Sequence, residues 1–355
     1  MENNDPPSIS LPRTSELQAP IMLLTGHDAP IYAMKFSPCG RYVASGSHDK
    51  KICEYRSLAV ADARQPAVCA HDLPLSITAL TPFITTTLPV LWDVYGECNN
   101  LNVLDGHKNV VLDLHWNSAG TRIVTASADK TVGVYDVSRG IRIKKYGGHS
   151  AVVNSCHISR LGEPLAVSGG DDNWAMVWDM RARRRAQQFL SAFSVLAVSF
   201  SAENDIVFTS GVDNVVRAWD RRREEIVYSL EGHTDTVTGM SLSPDGAFLL
   251  TNSMDKSLIC WDVRNFVTGS RLSKQFRGHQ HNLEKTLLKC SWSSDGEMIS
   301  CGSSDHVVHL WDFPTTDELY HLPGHTGSVN EVVFHPTEPI VGSCGSDKLI
   351  YLGEL

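Results

Sequence analysis

Ser, His and Asp recur together along this 355-residue chain, and together they are the parts of a nucleophile, base and orienter relay. The histidines sit at His27, His107, His149, His233, His279 and His325, each preceded by Gly. The aspartates sit at Asp49, Asp129, Asp172, Asp213, Asp255, Asp305 and Asp347. A constellation that returns in copy after copy is architecture rather than a single catalytic centre, so the hydrolase reading is set aside. No Gly-rich phosphate loop is present, and no His or Cys spacing reads as a zinc motif, so neither a metal nor another cofactor is expected.

The aromatic partner of each Asp gives the repeat away. Six residues after the Asp stands Tyr135, Trp178, Trp219, Trp261 or Trp311, each followed by Asp. Copy 4 carries Ser191-Ala192 where the others have Gly-His, and copy 7 carries Gly353-Glu354 where the others have Trp-Asp. The spacing from His107 to His149 is 42 residues, and with Asp49 and Trp92 in copy 1 there are seven copies. Within a copy the pattern reads as four short strands with turns between them. In copy 5, residues 237–242 alternate, Ser243-Pro244-Asp245-Gly246 turns, 248–252 form a second strand, and 257–263 form a third.

Gly-His, Asp and Trp-Asp at this period resemble WD40 repeats, four strands per propeller blade. The fold class expected is therefore all-β, a seven-bladed propeller. The resemblance implies that the histidine, a second-strand Ser or Thr, the turn Asp and the Trp form a hydrogen-bonded tetrad, which would satisfy a buried imidazole and carboxylate. The last copy lacks a fourth strand, and Ile21-Met22-Leu23-Leu24 has no copy of its own. This segment is expected to complete the last blade and remove two open sheet edges.

Bulk properties narrow the function. A net charge of −9 argues against wholesale nucleic-acid binding. No run of 18 apolar residues suggests a membrane span. Residues 1–20 are polar, with four prolines and no signal-peptide core, and read as a disordered tail before a propeller over 21–355. Nine dispersed cysteines without a CxxC pair read as reduced thiols.

One segment breaks the repeat. Asp49 and Trp92 lie 43 residues apart, where other copies have six. The excess, residues 53–89, has no repeat pattern and reads as translated intron. Cys53-Glu54-Tyr55 can encode a 5′ splice signal and Pro89-Val90 a 3′ one. Removing 37 residues joins Ile52 through a Phe or Leu codon to Leu91, restoring both the spacing and an apolar alternation.

Several stretches go beyond the generic repeat: residues 17–24, 91–98 with Val94-Tyr95-Gly96, 153–156, 195–198, His281-Asn282-Leu283-Glu284-Lys285, 288–293 and 322–325. They are similar to the WD-repeat family of the U5 small nuclear ribonucleoprotein, whose members bind Prp8. The resemblance implies a nuclear, non-catalytic spliceosomal scaffold whose partners are a Prp8-like protein and other splicing proteins. It implies at most indirect or backbone contact with small nuclear RNA, and neither a membrane nor a small-molecule substrate.

Two turns carry arginine: Arg181-Ala182-Arg183-Arg184-Arg185 after copy 3, and Arg221-Arg222-Arg223 after copy 4. Both follow a third strand, so they are expected on one rim of adjacent blades, where Arg suits acidic or phosphate partners. Trp174, beside the turn Asp172-Asn173, is either an interface anchor or packing between blades. The Trp-Asp-Met-Arg, Trp-Asp-Arg-Arg and Trp-Asp-Val-Arg runs at 178, 219 and 261 also fit the short WDxR box of cullin-4 ligase substrate receptors, which is the alternative function.

Overall fold

The computed structural model describes residues 15, 17, 19, 21–49, 53–54, 90–94, 102–104, 106–182, 184–282 and 286–355. At the strands of residues 53–54, 90–93 and 102–103 only the backbone pairing is described. Copy 5 shows how a blade is built. Val237–Leu242, Phe248–Ser253, Ser257–Asp262 and Leu272–Arg277 pair antiparallel in chain order. The three inner strands are almost wholly buried, whereas Leu272–Arg277 is mostly exposed, as expected for an edge that faces solvent.

Turn chemistry fixes the strand ends. Ser243 Oγ accepts from Phe248 N at 2.9 Å, and Gly246 takes a φ of 75° that suits glycine. The hairpin between second and third strands has a stricter rule. The residue after the turn Asp is left-handed in each of copies 2 to 7: Lys130, Asn173, Asn214, Lys256, His306 and Lys348. The Asp makes this possible by accepting backbone N–H groups. Asp255, for example, takes Ser257 N at 2.9 Å and Thr234 N at 3.0 Å.

Six such sheets are regular and four-stranded. Copy 1 departs from the expected seventh regular blade. Its sheet has five strands, in the order Ile31–Phe36, Tyr42–Ser47, Val90–Asp93, Cys53–Glu54, Asn102–Val103. Val90–Asp93 fills the third-strand slot, with Trp92 opposite Val43 as Tyr135 is opposite Ile123 in copy 2. Cys53–Glu54 wedges beside it, pairing parallel with Val90 and antiparallel with Asn102–Val103. Two segments, Val90–Asp93 and Cys53–Glu54, thus pair beside each other at one slot. In the last sheet, Ile21–Leu24 pairs antiparallel with Ile350–Glu354.

Neighbouring sheets are stitched together in two ways. Apolar clusters fill the wedges between them, as where Val124, Val134 and Tyr146 of copy 2 meet Val153, Met176 and Trp178 of copy 3. Around the centre, the inner strands exchange polar bonds: Asp113 accepts Cys156 N at 2.9 Å, and Glu331 accepts Met34 N at 2.7 Å. The result is an all-β propeller.

Candidate docking rim and the repeat tetrads

The tetrad explains where the Ser, His and Asp side chains go. In copy 3, Trp178 Nε1 donates to Ser168 Oγ at 2.8 Å, and Ser168 Oγ lies 2.8 Å from His149 Nε2. His149 Nδ1 is 3.0 Å from the Asp172 carboxylate, which also accepts Ser150 N at 2.9 Å. Donor follows acceptor along the chain, so every buried polar group is used. Copy 5 repeats the set with Trp261, Thr251, His233 and Asp255. Copies 1, 2 and 7 keep the His and Asp pair on a hydroxyl: His27 with Ser45 and Asp49, His107 with Thr125 and Asp129, His325 with Ser343 and Asp347. Burial pushes the Asp129 carboxyl up, but hydrogen bonds from His107, Thr131 and Lys108 N outweigh it and hold it well below the usual carboxylate range. A serine or threonine whose hydroxyl is spent inside a blade is no nucleophile.

Two further copies depart from the expected tetrad. Copy 4 has no histidine: Asp213 pairs with Arg217, and Trp219 Nε1 donates to Thr209 at 2.8 Å. In copy 6 the His, Asp and Trp are present, yet the network fails. Cys301 stands where Thr251 stands in copy 5, and His309 stands where Ile259 stands. Asp305 pairs with His309 at 3.0 Å instead of His279. Both ring nitrogens of His279 and Trp311 Nε1 are buried without a hydrogen-bond partner among the described residues. This rewiring was invisible in the sequence pattern, because it needs the strand register; a Cys in the second-strand hydroxyl position was the available signal.

Among the described side chains, the Asp of each Trp-Asp pair caps the next turn. Asp179 accepts Arg181 N at 2.7 Å, and Asp220 accepts Arg222 N at 2.7 Å and Arg223 N at 3.0 Å. These turns are then gripped by the preceding blade: Lys144 Nζ donates to Met180 O at 2.6 Å, and Gln187 Nε2 to Arg221 O at 2.5 Å. The two arginine turns meet on one carboxylate. Arg221 Nη1 lies 3.3 Å and Arg181 Nη2 3.8 Å from Glu163. Arg184, Arg185, Arg222 and Arg223 are exposed beside them; Arg183 lies outside the described residues. Arg181 and Arg264 fold back onto Asp179 and Asp262, so two of the three WDxR arginines sit in ion pairs within their own turns. Trp174 is half-buried and packs on the cluster between copies 2 and 3.

The sequence reading missed the charged belt of the central channel. Lys289 Nζ reaches across the ring to Asp113 at 2.5 Å and Leu112 O at 3.1 Å, and approaches Glu331 at 3.8 Å. Lys35 pairs with Glu331. Burial opposes the Lys289 charge, but Asp113 and Glu331 hold its pKa above the ordinary lysine value. Beyond this belt a funnel of about 470 Å³ opens, lined by His115, Trp116, His157, Arg160 and Trp292 among others. The belt residues Lys35, Asp113, Lys289 and Glu331 come from four different copies, so no spacing within one copy groups them.

Comparison with known proteins agrees with this geometry. The family described as "WD domain, G-beta repeat" matches residues 18–55, 98–136, 140–179, 186–220, 224–262, 270–312 and 316–352. The chain is 45% identical over 344 residues to a U5 small nuclear ribonucleoprotein 40 kDa protein of Dictyostelium discoideum, covering 97% of this chain and 86% of the relative. The Homo sapiens protein of the same name is 42% identical over the same shares. The pre-mRNA-splicing factor cwf17 of Schizosaccharomyces pombe is 34% identical, over 97% of this chain and 90% of the relative. With repeat, blade and whole-chain similarity in agreement, the chain belongs to the U5 small nuclear ribonucleoprotein 40 kDa family of WD-repeat proteins.

Proposed function

We propose that this protein is a non-catalytic scaffold of the U5 small nuclear ribonucleoprotein, acting in the nucleus in pre-mRNA splicing. The observation that carries the reading is similarity along 97% of the chain to relatives named for that particle. The working form is a seven-bladed ring over residues 21–355, locked by Ile21–Leu24 on the last blade, with residues 53–89 removed as retained intron. The seven family matches support the blade number, and the first two leave residues 56–97 unmatched. The partner is a Prp8-like protein, docked on the rim of Arg181, Arg183, Arg184, Arg185, Arg221, Arg222 and Arg223. The exposed Ile226 and Val227 on the adjoining outer strand add apolar area to that rim.

The test is a pull-down of the insert-free chain from nuclear extract. Prp8 and U5 RNA are expected, with Prp8 retained after RNase. Recovery of a ubiquitin-ligase adaptor without Prp8 would overturn the reading in favour of the cullin-4 receptor alternative.

A further inference from the structure

The outer hairpin of copy 6 gathers three metal-ligating side chains. His309, Glu318 and His321 each place a donor atom within 4.8 Å of the other two. Strand register brings them together. Val307–Asp312 and Glu318–Pro323 are antiparallel, with His309 directly opposite His321, so the two imidazoles share a face. Glu318 is three residues from His321, a spacing that would put it on the other face of a regular strand. The register shifts between Leu310 and Trp311, pairing Trp311 with Glu318 and Leu310 with Tyr320. Leu319 is the extra residue, and the bulge returns Glu318 to the histidine face. His309 Nδ1 lies 2.5 Å from Glu318 Oε1, and His321 Nε2 lies 3.0 Å from the same oxygen.

A second observation comes from the proton count. A neutral imidazole carries one N–H. His309, 3% exposed, faces a carboxylate at both nitrogens: Glu318 at Nδ1 and Asp305 at Nε2, 3.0 Å away. One contact lacks a proton unless the ring is charged or a cation sits between Nδ1 and Glu318. With Nε2–H donated to Asp305, Nδ1 is left as a free lone pair. That is the carboxylate–histidine arrangement which fixes the tautomer and raises ligand basicity at metal sites.

The arrangement belongs to this copy alone among the regular blades. The equivalent facing pairs are Met176 and Gln188, Arg217 and Ser229, and Ile259 and Gln275. We propose that this hairpin binds one divalent transition-metal ion of the zinc class through His309 Nδ1, the Glu318 carboxylate and His321 Nε2. Two imidazoles and a carboxylate suit such an ion. Tetrahedral zinc needs donors roughly 3.3 Å apart, so the two Glu318 contacts must lengthen by less than about 1 Å. Glu318 and His321 stand at the surface and are able to rotate. His321, 61% exposed, leaves the fourth position to water. Asp305 acts as a positioning residue.

The experiment uses the full chain without a histidine tag, stripped by chelator and titrated with zinc chloride by calorimetry at pH 7. One zinc per chain is expected. His321→Ala and Glu318→Gln should each weaken binding at least tenfold, and Asp305→Asn about tenfold. His321 is exposed, so its variant keeps the fold, which a thermal melt verifies. Cobalt should give the absorption bands of a tetrahedral ion, lost in His321→Ala. No stoichiometric uptake overturns the proposal, as does uptake unchanged in both ligand variants. So does an NMR titration in which His309 is an imidazolium at pH 7 that zinc fails to displace.

Discussion

The hydroxyl at the centre of each tetrad decides whether a buried donor, the Trp N–H, and a buried acceptor, the His Nε2, are both satisfied. Thr251 Oγ1 contacts both His233 and Trp261, whereas Thr209 serves Trp219 in a copy without histidine. Thr251→Ala strands groups of both rings, and each unsatisfied buried group costs about 1–3 kcal/mol. Denaturant unfolding should therefore show a loss of about 2–4 kcal/mol for Thr251→Ala and roughly half that for Thr209→Ala. Equal losses would mean that the histidine adds nothing to the network. At this scale the sequence was legible wherever residue type alone sets the role. In copies 3 and 5 the His, Asp and Trp join one hydrogen-bonded chain through Ser168 or Thr251. Copy 6 departs from the expected tetrad because Cys301 and His309 act through cross-strand register, which spacing along one strand does not reveal. Trp174 stayed ambiguous in the sequence because an aromatic near a turn serves packing and binding equally well; the structure puts it against the core between copies 2 and 3.

Hairpins set the next level. Lys130, Lys256 and Lys348 hold left-handed φ angles near 63° to 70°, a conformation that costs a non-glycine residue about 1 kcal/mol. Asn already occupies the same position in copies 3 and 4, as Asn173 and Asn214. Lys256→Asn should stabilise by a few tenths of a kcal/mol, and Lys256→Val should destabilise by more than about 1 kcal/mol, read from thermal melts. Strand positions were legible because alternation and turn residues agree: the second strand of copy 5, read as 248–252, is Phe248–Ser253. The sheet of copy 1 was less so, since periodicity sees two candidates for one slot, and only the short reach from residues 90–94 to the next strand favours one of them. Val90–Asp93 takes the slot because it leads directly toward Asn102–Val103, keeping the hairpin local. Deleting residues 53–89 should raise the melting temperature and sharpen the transition, since Cys53–Glu54 no longer competes and the closure entropy of the extra chain length, about 1–2 kcal/mol, is removed. A lower melting temperature on deletion would sink the intron reading as a structural account.

Across the whole ring, charge is concentrated at the centre and on one rim. Lys289 ties copy 6 to copies 2 and 7, so Lys289→Met leaves Asp113 uncompensated and should cost about 3–5 kcal/mol in denaturant unfolding. His115 and His157, with rings 4.9 Å apart at the funnel, both have lowered pKa values. Burial is the main cause for each; Lys35, Lys289 and Arg160 add to it for His115, and His115 and Arg160 for His157. Both are neutral in the folded state and take up protons when unfolded below about pH 6.5. Stability from this pair is thus complete above pH 6.5 and declines as pH falls toward the folded-state values. Melting temperatures measured from pH 8 to 4 should bend down below 6.5, and less so in His157→Gln. On the rim, reversing Arg184, Arg185, Arg222 and Arg223 to Glu should change stability by no more than about 0.5 kcal/mol per site. Partner association should weaken and lose its salt dependence; unchanged binding at low salt would make these solvated turns.

The pairing of Ile21–Leu24 with Ile350–Glu354 also has a meaning in time. Among the described strands, the first to leave the ribosome waits for the last one to be made. At about 5–20 residues per second, that delay is on the order of half a minute. Throughout it, Ile21, Met22, Leu23 and Leu24 form an apolar edge without their partner, open to chaperones or to a neighbouring nascent chain. A truncated product missing its last few residues would keep that edge exposed for good, so premature termination should yield aggregates rather than a slightly weakened ring.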